Sequence, residues 1–302
     1  MTDDLAVAAS IGLDSVRIDV PWALAQPRAG LLDGDVVEAV LSACVGAADA
    51  GLRPWLRLLQ PAVPVWFDDE GGFADARNTG RFWPRWVESC ADVFGDVVSG
   101  WVPIEAPFAM ARRLIPDDAR RHGELVETLV VAWRDAWRIL RGGPPVMTSL
   151  DVAVVRAPEE ATPEQLAQTN RIDQLRWDVW LDGLRDGRID IPGRALRELA
   201  DLDGACDIVG LAIREDAETV LYRAAEQGPE RPLALTFRPT GSTDVERSRS
   251  IEAMWRSTRR AAEELSVTSV TITPFADHPP VGDGIVTTAG ELKSSGEAFV
   301  AA

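Results

Sequence analysis

The sequence has little lysine, histidine, tyrosine or cysteine. Of its 31 basic residues only Lys293 is a lysine, and there are two histidines, one tyrosine and three cysteines. Cys44, Cys90 and Cys206 are far apart and odd in number. No Cys-x-x-Cys or Cys/His cluster occurs, which argues against a disulfide framework and against a zinc site. Cys44 and Cys90 fall in helical patterns and read as buried, inert thiols. No metal and no cofactor is expected. Long apolar runs are also missing: no stretch reaches the roughly 18 residues that a membrane span requires. Positive charge is in deficit, 31 basic against 48 acidic residues, for a net charge of −17. Nucleic acid and anionic membrane surfaces call for basic patches and are not expected partners. Such a charge suits a protein that repels its own copies. The acidic start Met1-Thr2-Asp3-Asp4 does not suit a signal peptide, so the expected location is cytoplasmic.

What is present is ample apolar material, 46% of 302 residues, in short runs separated by longer amphipathic segments. Strand-like runs are 15–20, 54–59, 100–104, 145–150, 207–212, 233–237 and 269–273. A helical pattern over 4–11 precedes the first. Asp35 with Glu38 suggests a capping box, with Gly51 closing that helix. Thr162-Pro163-Glu164-Gln165 predicts the start of a long helix ending near Gly187, and Thr243 with Glu246 another running to about Leu265. Repeated strand–helix units without a linker predict one α/β domain over 1–302, its parallel sheet closed or doubly wound. Seven strands are evident. An eight-stranded barrel would need one more ahead of the first helix.

The local sequences resemble family 1 glycoside hydrolases, the β-glucosidase type, from Asp3 onward. Ile11-Gly12-Leu13-Asp14-Ser15-Val16-Arg17 through Trp22 and Pro27 is similar to the family's second-strand segment. Gly51-Leu52-Arg53-Pro54 with Glu70-Gly71-Gly72-Phe73 follows its third strand and loop. Asn170-Arg171 through Gly187 resembles the helix after strand five, Asp207-Ile208-Val209-Gly210 its sixth strand, and Gly284-Ile285-Val286 to Phe299 its closing segment. The resemblance implies a TIM-type (β/α)8-like barrel, incomplete by its first strand.

It also implies two catalytic glutamates, because retaining hydrolysis needs carboxyl groups about 5 Å apart. The acid/base belongs to a Trp-x-x-x-Asn-Glu-Pro string. Here that string is Trp101-Val102-Pro103-Ile104-Glu105-Ala106-Pro107, with Ala106 at the acid/base position. A one-residue slip would restore Glu105, at the expense of reversing side-chain direction. The nucleophile belongs to a Thr-Glu-Asn-Gly string, and Phe237 stands in its place within Leu235-Thr236-Phe237-Arg238. Gln60 and Pro61 replace a strand-three histidine and its following aromatic. The strand-six tyrosine falls at Ile213 or Arg214, and the Phe-Glu-Trp string after strand eight is absent. Arg17, and Asp151 at an Asn position, keep a similar polarity.

Candidate pocket and acid–base residues are therefore Arg17, Asp19, Gln60, Glu105, Asp151 and Asp277. Arg17 and Asp19 share one strand face and read as a mutually neutralising internal pair, or as a polar-ligand site at the mouth. Glu105, Asp151 and Asp277 should lie at strand C-terminal ends, where clustered acids can acquire general-base character or be simply solvated. His278 beside Asp277 could be an oriented base or a surface residue, and His122 is expected to be structural. Tryptophan pairs 83/86, 133/137 and 177/180 have helical spacing and predict core packing over sugar platforms. Three functions stay open. One is a barrel without retaining activity that binds a small or sugar-like ligand or a partner. The second is a repurposed enzyme using mouth carboxylates, with Phe237 as an apolar wall. The third is a residual O-glycosidase using Glu105. An open seam could also support self-association.

Overall fold

The computed structural model describes residues 2–277 and 280–301. The chain opens with α1 (Thr2–Ser10), β1 (Ser15–Asp19), α2 (Trp22–Ala25) and α3 (Gly34–Asp49). Next come β2 (Arg53–Leu59), α4 (Val65–Asp69), α5 (Ala76–Phe94), β3 (Gly100–Ile104), α6 (Pro107–Leu114) and α7 (His122–Leu140). The middle holds β4 (Leu150–Asp151), α8 (Pro163–Arg176), α9 (Asp178–Asp186), β5 (Arg188–Ile189) and β6 (Arg197–Glu198). The last third is β7 (Val209–Ile213), α10 (Ala217–Gln227), β8 (Leu233–Phe237), α11 (Asp244–Ala262), β9 (Val267–Ile272) and α12 (Ser294–Val300).

Parallel ladders run β1-β2-β3 and β4-β7-β8-β9, while β5 and β6 form a small antiparallel pair outside them. Single bridges from Trp101 to Val146 and from Met147 to Ile208 join the two ladders. Seven strand positions thus follow one another in chain order around an incomplete α/β barrel, as expected. The fourth is shorter than the 145–150 run predicts. Thr148 Oγ1 donates to Gly210 O (3.0 Å) and accepts from Gly210 N (2.8 Å). A side chain thereby takes over bonds that a ladder would make. Glycine is required opposite it, since a Cβ at 210 would lie 2.0 Å from Thr148 O.

β1 and β9 are the two edges, and no ladder joins them. Their burial reflects this: every residue of β3 and β8 is buried, whereas one residue in each of β1 and β9 is.

Two helix expectations need correction. The N-cap of α3 is Asp33, whose carboxylate accepts from Val36 N at 3.1 Å, and Asp35 lies inside the first turn. The helix expected from 163 to 187 is two, broken at Trp177 (φ −115°, ψ −70°). That indole turns into the core, donates to Ala153 O at 3.0 Å and lies under the Arg223 guanidinium. The Thr162 and Thr243 capping boxes form as expected.

The main core lies between the strands and the helices. Trp22 stacks on Trp86 with centroids 5.5 Å apart, and Trp66, Phe67, Phe73 and Trp83 pack around them. Trp83, Trp86, Trp133, Trp177 and Trp180 are fully buried and Trp137 is half-buried, the core role that their spacing predicts. A smaller cluster of Val102, Met147 and Ala234, with Trp55 against it, fills the barrel interior. The Trp55 ring covers Gly100, where a Cβ would come within 2.3 Å. No described helix is long and apolar enough to cross a membrane.

Candidate functional site

Side chains alternate along a strand, so the face of β2 that carries Trp55 into the interior also carries Arg57. Arg57 pairs bidentately with Asp19, Nε to Oδ1 at 2.5 Å and Nη2 to Oδ2 at 2.6 Å. Its remaining Nη1 contacts the Glu105 carboxylate at the end of β3. Arg17, across the register from Trp55, donates from Nη1 to Thr236 Oγ1 at 3.0 Å. The internal pair is therefore Asp19–Arg57. The expected Arg17–Asp19 pair does not form, because the fork of Arg57 matches both oxygens of Asp19. Burial, together with neighbouring Arg57, lowers the Arg17 pKa to about 10, with Asp19 partly offsetting this.

These five side chains line a cavity of about 860 Å³ that opens between β1 and β9. Arg57 and Thr236 were not among the sequence candidates. An arginine two residues after Trp55 in an apolar run was a usable signal; Thr236 gave none.

The other candidates lie elsewhere. Gln60 folds back on its own turn, donating from Nε2 to Arg57 O at 2.6 Å. Ala106 is in the left-handed region (φ 49°, ψ 58°) at the N-cap of α6 and has no side-chain acceptor. Asp151 supplies it, Oδ1 accepting from Phe108 N at 2.9 Å and Oδ2 from Ala109 N at 2.8 Å. Burial pushes the Asp151 carboxyl up to about 6, against the opposing pull of Arg176 and of the two amides. Asp277 is committed to the closing segment, accepting from Lys293 Nζ and Gly284 N, both at 2.9 Å. His278 lies outside the described residues. His122 bonds Ile115 O through Nε2 at 2.8 Å, a structural contact.

Phe237 shares the outward face of β8 with Leu233 and Leu235 and is 1% exposed. It borders a separate hollow of about 570 Å³ together with Arg214 and Met254. The apolar wall expected of it in the main cavity is not there. The inward group at this end of β8 is the Thr236 hydroxyl.

No family model matches the chain. Among solved structures it is similar to the family 1 β-glucosidase from Thermotoga maritima, with TM-score 0.85 and 13% identity over 99% of this chain and 84% of that one. It is also similar to the GH1 β-glucosidase from Exiguobacterium antarcticum B7, with TM-score 0.83 and 12% identity over 99% and 84%. Among curated sequences, β-glucosidase 17 of Arabidopsis thaliana is 32% identical over 110 residues, 35% of this chain and 21% of that protein. Raucaffricine-O-β-D-glucosidase of Rauvolfia serpentina is 28% identical over 114 residues, 36% and 21% respectively. The matched stretch thus spans about a fifth of either curated relative. The structural likeness identifies the fold as the family 1 barrel.

Proposed function

We propose that this chain is a family 1 glycoside hydrolase homologue that no longer performs retaining hydrolysis and serves as a binding protein at its open cavity. The observation that carries this is the set of groups facing inward. Retention requires an acid and a separate nucleophilic carboxylate about 5 Å apart across the scissile bond. β8 presents a hydroxyl inward at Thr236, and Phe237 faces the helices. Glu105 and Asp19 are both engaged by one guanidinium. A threonine hydroxyl with a guanidinium donor beside it is no match for a carboxylate in stabilising an oxocarbenium charge. What remains is an array of donors and acceptors, Arg17 and Arg57 against Asp19 and Glu105 with the Thr236 hydroxyl, suited to holding the polar groups of a ligand. Sugar-like molecules are one class whose hydroxyls fit it.

The test is hydrolysis of 4-nitrophenyl β-glycosides at high protein concentration. The expected rate equals that of the buffer blank. Turnover that vanishes in Glu105→Gln would overturn the reading and make Glu105 the acid/base of a residual O-glycosidase.

A further inference from the structure

Arg17 is the unmatched cation of the main cavity. Arg57 holds both oxygens of Asp19 and also meets Glu105, so these two acids are committed to one guanidinium. Arg17 makes a single hydrogen bond, from Nη1 to Thr236 Oγ1, and pairs with no carboxylate among the described residues. Most of the N–H donors in its planar fork are therefore unused. Burial and the neighbouring Arg57 lower its pKa to about 10, as expected of a charge short of a counter-ion.

Two hydroxyls stand beside it. Thr236 of β8 and Thr271 of β9 are register partners on neighbouring strands, so their side chains share one face, and both line the cavity. Thr236 Oγ1 accepts from Arg17, which leaves its own proton to donate. The Thr271 hydroxyl has no partner among the described residues. Arg17 starts from β1 and passes β9 to reach β8, which brings its guanidinium alongside Thr271. Donors from three side chains thus converge with no carboxylate among them. A buried charge left in this state is unfavourable, and an oxyanion would satisfy it. The acids that line the same cavity do not fill that role. Asp14 pairs with Arg53, Asp19 and Glu105 pair with Arg57, and Asp4 and Asp35 sit on the outer helices α1 and α3.

We propose that the cavity binds the carboxylate of a small organic acid, received by the Arg17 fork and by the Thr236 and Thr271 hydroxyls. A planar carboxylate matches two parallel N–H groups of a guanidinium, and the hydroxyls meet its remaining lone pairs. Trp255, Phe275 and Phe299 offer an apolar wall to the body of the acid. This rests on the binding role proposed above and names the class of ligand.

The probe is benzoate, titrated into the full chain by isothermal titration calorimetry, with benzamide as its neutral counterpart of the same shape. Benzoate should saturate the protein, and benzamide should bind at least about tenfold more weakly. Arg17→Met removes the charge while keeping the bulk, and Thr271→Val removes one hydroxyl at constant shape. Benzoate affinity should fall at least about tenfold in the first and about threefold in the second, with circular dichroism reporting their fold. The comparison of the two ligands needs no variant, so it decides the matter even where a variant fails to fold. Equal binding of benzoate and benzamide would overturn the proposal, as would unchanged benzoate affinity in folded Arg17→Met. Absence of saturable benzoate binding up to about 10 mM would overturn it outright. Tighter binding of inorganic phosphate than of benzoate would overturn the choice of a carboxylate in favour of a tetrahedral oxyanion. Glycoside hydrolysis by the same sample speaks to the loss of catalysis alone, so the two failures are distinguishable.

Discussion

The carboxyl of Asp151 answers two opposed demands. It closes the first turn of α6, whose own N-cap is an alanine, yet burial penalises its charge and raises its pKa to about 6. An acid whose pKa is higher folded than unfolded binds its proton more tightly in the folded state. Its favourable contribution is complete below about pH 4 and is lost as the pH rises to about 6. Asp151→Asn keeps one acceptor for α6 and removes the charge. We expect the stability of the wild type, relative to this variant, to fall by roughly 1–3 kcal/mol between pH 4 and pH 7. Urea midpoints at the two pH values measure it, and a pH-independent difference would contradict the assignment. Sequence reasoning placed Asp151 near a strand end because strand ends can be read from local pattern. It could not find the α6 amides as its partners, since that contact spans more than forty residues. The same limit separates Arg17 from Asp19. Two charges on one strand face were legible, but Arg57, 38 residues beyond Asp19, was the better partner for it.

Helix ends are the part of each element that neighbouring residues determine, and there the sequence was most informative. Thr243 Oγ1 accepts from Glu246 N, while the Glu246 carboxylate accepts from the amides of Ser242 and Thr243. The Ser242 hydroxyl, which donates to the same carboxylate at 2.8 Å, together with these two amides holds the Glu246 carboxyl down at about 2. Thr243→Ala removes one acceptor and should cost about 1 kcal/mol in thermal or urea unfolding. A change near zero would mean that Glu246 alone secures the turn. At α3 the local pattern pointed to Asp35, but Asp33, two residues earlier and extended in backbone, is the cap. The break at Trp177 was not visible in composition, because a buried indole and its Ala153 partner are tertiary facts. The fraying of the fourth strand has the same origin in Thr148 and Gly210, 62 residues apart.

For the whole molecule, repeating strand–helix units made the seven strand positions readable in advance, and the family resemblance chose a barrel over a doubly wound sheet. The seam's side-chain lining was not, because it draws on α1, α11 and α12 at opposite ends of the chain. The three thiols report on how firmly the molecule holds together. Cys44, Cys90 and Cys206 are buried, and burial raises Cys44 to about 11 and Cys206 to about 12, with Cys90 raised as well. Thiolate is the reactive form, so none should react with an aromatic disulfide reagent at pH 8 in the native protein. All three should react once the chain is unfolded. A fast native equivalent would mark the region that opens first, and Cys44 on α3 lies nearest the seam.

A closed cylinder of strands is a hoop: the number of ladders sets its circumference, and it can widen only by breaking one. With β1 and β9 unjoined, this barrel is a clasp instead. Its two jaws are the β1-β2-β3 sheet and the sheet ending at β9, and the Arg17–Thr236 hydrogen bond reaches between them as a catch. Opening at the seam breaks no ladder, so the interior can be reached sideways through the wall as well as from the mouth.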